Sequence, residues 1–134
     1  MNKNAAKHWI LSAKADLKSI GHMISDEFLT HIVAFHAQQC VEKCFKALLE
    51  YHSKKVPKEH STLKLYGMVK EYLKASLDKD MLTDFDDLYI EARYPGDLGL
   101  LPNGKPTNAE AHEFYQFAKD LFDNICNYMQ IEEL

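Results

Sequence analysis

The stretch FHAQQCVEKCFKALLE, Phe35 to Glu50, decides how this chain folds. Ala37, Val41, Cys44 and Leu48 recur at intervals of three and four, which places them on one side of an α-helix. Extended from about Leu29 to His52, the same stripe gains Ala34 and Tyr51. A second stripe, Phe28, Ile32, Phe35, Gln39, Glu42, Lys46 and Leu49, mixes apolar and polar residues. A helix with two usable faces sits at the centre of a bundle or packs against another subunit.

Working outward, the apolar spacing stays helical nearly throughout. A first helix is expected over about Asn4 to Ile24, with Ala6, Trp9, Ala13, Leu17, Ile20 and Ile24 on one face. After the basic loop Ser53 to His60, interrupted by Pro57, a third helix is expected over Thr62 to Ser76 on Leu65, Tyr66, Val69 and Leu73. A fourth is expected over Lys79 to Ala92 on Met81, Phe85, Leu88 and Ala92. The segment Tyr94 to Thr107 holds three prolines and three glycines and reads as a loop. Thr107 with Glu110 fits a capping box, which opens a last helix from Asn108 to about Ile131 on Ala111, Phe114, Ala118, Leu121, Ile125 and Tyr128. No segment alternates with period two for long enough to make a strand. Long helices joined by short loops pack antiparallel, so the expected fold is an all-α, up-and-down bundle, with residues 1–134 as a single domain.

Composition narrows the function classes. No apolar run approaches the ~20 residues that cross a bilayer, and the N-terminus carries no apolar signal segment. No membrane association and a cytoplasmic location are therefore expected. An odd number of cysteines, Cys40, Cys44 and Cys126, argues against a disulfide framework. Cys40 and Cys44 lie one turn apart, but no His or Cys pair follows at zinc-finger spacing, so they read as small core thiols. The net charge of −4 hides an asymmetry. Residues 1–77 carry 12 lysines against 7 acids, whereas residues 78–134 carry 4 basic residues against 13 acids. Such a dipolar chain either binds a phosphate at one end, meets a complementary partner, or simply solvates an uneven surface.

The ordered landmarks resemble one family. Phe35, Gln38, Gln39, Glu42, Lys43, Lys46 and Ala47 are similar to the marker helix of HEPN proteins (higher eukaryotes and prokaryotes nucleotide-binding). Upstream, AKHWILSAKADL, Ala6 to Leu17, resembles the family's first helix, with its Trp and its Ala-x-x-Asp-Leu. Downstream, PKEHSTL, Pro57 to Leu63, and the triplet Arg93-Tyr94-Pro95 resemble a family loop and the end of a later helix. The resemblance implies an antiparallel four-helix bundle with an additional short helix, commonly a homodimer. It also implies nucleotide or RNA ligands, or a minimal nucleotidyltransferase partner in a toxin–antitoxin module. Other members are metal-independent ribonucleases; no cofactor is implied.

The ribonuclease members use an Arg, a spacer of four to six residues and a His. Arg93 is the only arginine beside 15 lysines, and no His stands at that spacing, the next being His112. Catalysis is accordingly not expected, unless a histidine from elsewhere in the chain, such as His60, or from a second subunit takes that place. The fork of Arg93 suits either a phosphate or a carboxylate that anchors the following loop. Gln38, Gln39, Glu42, Lys43 and Lys46 either line a cleft for a base and phosphate or bridge helices and subunits. His60, with Lys54, Lys55 and Lys58, precedes a helix start at Ser61 or Thr62, where free amides either receive an anion or are capped internally. Arg93, Lys46, Lys43, His60, Gln39, Glu42 and Tyr94 form the expected nucleotide- or phosphate-binding set. The scattered histidines suggest no metal, and the aromatic residues read as packing.

Overall fold

A computed structural model describes residues 1–92 and 105–132, with side chains described for residues 1–89 and 105–132. All regular elements among them are helical. Helix α1 is Lys3–Met23, α2 is Thr30–Tyr51, α3 is Thr62–Val69, α4 is Lys79–Ala92 and α5 is Asn108–Met129. Short 3-10 turns, Glu27–Leu29 and Lys70–Tyr72, precede α2 and follow α3. The fold is an up-and-down helical bundle in which α3 is the additional short helix. Among the described residues no helix is long and apolar enough to cross a membrane.

Local chemistry sets the helix starts. The Asn2 side chain accepts from the Ala5 amide at the start of α1, and the Ser61 side chain accepts from the Lys64 amide at α3. The capping box of α5 is present, with both the Thr107 and Glu110 side chains bonded to backbone amides. Helix α2 packs against all four other helices, as its two-sided pattern requires. Its fully buried Phe45 and Leu48 meet a core that includes Ile10 and Ile20 of α1, Leu65 of α3, Phe85 of α4 and Ile125 of α5.

Three details depart from the sequence reading. The third helix ends at Val69, and its 3-10 turn at Tyr72, rather than at Ser76. Leu73 is already extended, and the Tyr66 hydroxyl accepts from the Leu77 amide, which ties the connection down. Phe28, placed on the mixed second stripe, and Tyr128, placed on the apolar face of the last helix, are exposed. Phe28 lies beyond the helix, where Lys105 donates to its carbonyl oxygen and sits 4.8 Å from its ring centre. On α1 the buried row is Ala6, Ile10, Ala13, Asp16 and Ile20, so an aspartate occupies a core position while Trp9, Leu17 and Ile24 pack at its edge.

All three cysteines are buried free thiols. Burial raises Cys44 well above the usual thiol range, with the Cys40 side chain adding to it, and raises Cys126 to about 11. Both stay protonated and act as small apolar groups.

Candidate functional site

The polar face of α2 carries two groups of the same composition: a carboxylate, a lysine and a histidine. In the first, the buried Glu42 accepts from Lys46 Nζ at 3.0 Å and from His60 Nδ1 at 3.2 Å. Gln38, fully buried one turn before Glu42, donates from Nε2 to the His60 carbonyl at 3.0 Å and to Glu42 at 3.4 Å. Gln39 Nε2 in turn donates to Gln38 Oε1 at 2.6 Å. Lys46 also lies 5.6 Å from the centre of the Trp9 ring, and Trp9 Nε1 donates to Glu50. In the second group, Asp16 of α1 accepts from Lys43 Nζ at 2.8 Å and His36 Nδ1 at 2.9 Å.

The loop that carries His60 is held from two sides. The Glu59 carboxylate accepts from the amides of Ser61 and His60, bonds that hold its carboxyl below the usual range, Ser61 foremost. Asp86 of α4 accepts from Ser61 Oγ, from the Thr62 amide and hydroxyl, and from the Leu63 amide. These bonds decide between the two readings of the α3 start. The first amides of α3 face Asp86 and the Ser61 hydroxyl, so internal capping, not an external anion, satisfies them.

A row of rings joins the two groups. Phe35 meets His36 edge-on at 5.7 Å and stacks on Tyr89 at 6.4 Å, and Tyr89 stacks on His60 at 5.0 Å. Phe35, His36 and Tyr89 are half-buried, and His60 is exposed. The aromatic residues were expected to serve packing alone. This row, by contrast, reaches the surface, because α2 has polar neighbours on both sides there.

The structure thus gathers Gln39, Glu42, Lys46 and His60 into one network and places Lys43 in the neighbouring one. Arg93 and Tyr94 lie outside the described residues. Asp16, His36 and Tyr89 were not singled out for the site. Asp16 did have a signal, being the only acid of α1 and falling in line with Ala6, Ala13 and Ile20. Tyr89 had none, because only the fold brings α4 against the His60 loop.

Chemically, each lysine is already neutralised by a carboxylate. A histidine that donates from Nδ1 to a carboxylate keeps Nε2 for a ligand or a proton. The face therefore offers hydrogen bonding and ring stacking more than net positive charge. Among the described residues no cluster of His, Cys, Asp and Glu is suited to a metal ion.

Neither a curated protein nor a solved structure matches the chain. The model of the HEPN domain family matches residues 6–128, nearly the whole length. The chain belongs to the HEPN domain family.

Proposed function

We propose that this HEPN domain, acting in the cytoplasm as a homodimer, binds a nucleotide or RNA and works beside a minimal nucleotidyltransferase in a toxin–antitoxin pair. The observation that carries the ligand class is the ring row His36–Phe35–Tyr89–His60, whose end histidines are oriented by Asp16 and Glu42. Such a row offers faces for a base and imidazole edges for hydrogen bonds. Because Lys43 and Lys46 are paired internally, the phosphate falls to Arg93, four residues beyond Tyr89 in the chain. The half-open polar face of the central helix supports dimerisation through α2.

Calorimetric titration with adenosine and uridine monophosphates tests the ligand. Wild type should bind, and Tyr89→Ala and Arg93→Ala should each weaken binding at least tenfold without unfolding the bundle. Light scattering tests the dimer, and co-purification tests for a nucleotidyltransferase partner. Absence of binding to any nucleotide, together with a monomeric chain, rejects the proposal.

One observation favours a second reading, a metal-independent endoribonuclease. Glu42 holds His60 through Nδ1, which leaves Nε2 placed for general acid–base work on a ribose 2′-hydroxyl. RNA cleavage in excess chelator, lost in both His60→Ala and Arg93→Ala, is the expected result. Purified protein that leaves RNA intact excludes it.

A further inference from the structure

We infer that the cavity between α5 and the segment joining α3 to α4 is a binding site for a small aromatic carboxylate. It shares neither residues nor ligand class with the reading above, so each stands or falls alone.

The inference starts from Tyr128. Its spacing puts it on the apolar face of the last helix, yet it is 40% exposed. The ring is nonetheless held in place. Its hydroxyl shares a hydrogen bond with His52 Nε2 at 2.9 Å, and it meets Tyr51 edge-on at 5.9 Å. The same imidazole stacks on Tyr72 at 3.7 Å, with the two planes only 10° apart. One histidine at the end of α2 therefore fixes a ring on α5 and a ring on the 3-10 turn after α3. Glu71 interacts with the Tyr72 hydroxyl and adds a further restraint. Rings that are fixed before a ligand arrives lose little freedom when it binds.

Tyr72 and Tyr128 line a cavity of about 510 Å³, within the range of roughly 300–1,000 Å³ that small-molecule pockets span. Leu73, Leu77 and Leu121 give it apolar walls. The wall from the connecting segment is anchored at both ends. The Leu73 amide donates to the Lys70 carbonyl at 3.2 Å, and the Leu77 amide donates to the Tyr66 hydroxyl at 3.1 Å. The polar lining is Lys74 together with Asn124 and Asn127, which stand three residues apart on one side of α5. All three are exposed, and among the described residues no hydrogen bond or ion pair occupies their side chains. Lys74 is the one charged residue of the lining among the described residues. Two acids of α5 in this stretch are engaged elsewhere: Asp120 accepts from Gln116 at 2.8 Å and Asp123 from Lys119 at 3.3 Å. The cavity thus offers one cation, two side-chain amides, and ring and leucine faces. A carboxylate on a flat apolar body matches all of these, with Lys74 and an asparagine amide bonding the anion. A sugar would leave the leucine walls unmatched. A nucleotide phosphate would set roughly two negative charges against a single lysine.

Titration of the full chain with naphthylacetate, followed in proton–nitrogen NMR spectra, tests the inference. The side-chain amide signals of Asn124 and Asn127 should shift and saturate. Lys74→Gln removes the charge at an exposed position and should weaken binding about tenfold, the worth of one hydrogen bond to a charged group. The neutral naphthylacetamide should lose the same factor against wild type. Ala75→Met, also at an exposed position in the lining, takes up room in the cavity and should weaken binding several-fold. Circular dichroism and Tm should show an intact bundle in both variants. Wild type whose Asn124 and Asn127 signals stay in place overturns the inference. So does a Lys74→Gln or Ala75→Met variant that binds as tightly as wild type, or a neutral amide that binds as tightly as the acid. Displacement of naphthylacetate by an equal concentration of uridine monophosphate overturns it as well.

Discussion

The two carboxylate–lysine–histidine groups on α2 have the same parts, but they are assembled differently. Glu42 and Lys46 belong to the same helix, one turn apart, and the histidine arrives from the loop before α3. Asp16 comes from α1, and both of its cationic partners stand on α2. The first group therefore positions a loop, whereas the second ties two helices together. Exposure differs in the same sense. The Lys46 side chain is 6% exposed against 21% for Lys43, while His60 is 49% exposed against 29% for His36. The group with the more deeply buried ion pair presents the more accessible imidazole. A buried pair is an expensive way to gain stability but an effective way to fix one geometry.

Removing the carboxylates should separate the two groups most clearly. Glu42→Gln leaves the buried Lys46 without its carboxylate and should cost ~3–5 kcal/mol, the range for an uncompensated buried charge. Urea denaturation measures it, and a loss no larger than that of Asp16→Asn would contradict the buried-pair account. Asp86→Ala comes next. It removes the acceptor for four bonds at the start of α3 and should cost about 2–3 kcal/mol, while freeing the His60 loop. Faster exchange of the Thr62 and Leu63 amides should accompany the loss. Asp16→Asn should cost least, about 1–2 kcal/mol, because Lys43 can turn its ammonium group to solvent.

The contrast also shows what a sequence can carry. Helical periodicity of Ala37, Val41, Cys44 and Leu48 was enough for α2, and the Thr107–Glu110 box was enough for the start of α5, because both depend on neighbours within one or two turns. The end of α3 was not legible. The bond between the Tyr66 hydroxyl and the Leu77 amide spans eleven positions, from inside α3 across the 3-10 turn into the connection to α4. At the site, the Glu42–Lys46 half was legible, since its spacing is helical. Its partner His60 was noted as a basic-loop residue, but its contact with Glu42 depends on how that loop folds back. Asp16, His36 and Tyr89 act across helices, and local spacing does not encode those pairings.

A third histidine, His52, follows the far end of α2 and lies outside both groups. Its ring stacks on Tyr72 at 3.7 Å, and its Nε2 lies 2.9 Å from the Tyr128 hydroxyl, within hydrogen-bond distance. Among the described residues no carboxylate is bonded to it. Burial lowers its pKa below the usual histidine value, and although Glu71 opposes that shift, Lys54 adds to it. A histidine with a depressed folded-state pKa contributes stability that is complete above about 6.5 and is lost as the pH falls through the lower folded value. His31, also lowered by burial and by Lys105, acts in the same window. Glu59, lowered by its backbone bonds, contributes stability that is lost only at more acid pH, below the ordinary carboxylate range. Stability measured from pH 7.5 downward should therefore begin to fall just below 6.5, before carboxylates protonate. His52→Phe keeps the stack on Tyr72 but has nothing to protonate, so it should flatten part of that first descent and leave the acid limb of Glu59 in place. An unchanged descent in His52→Phe would assign the early loss to His31.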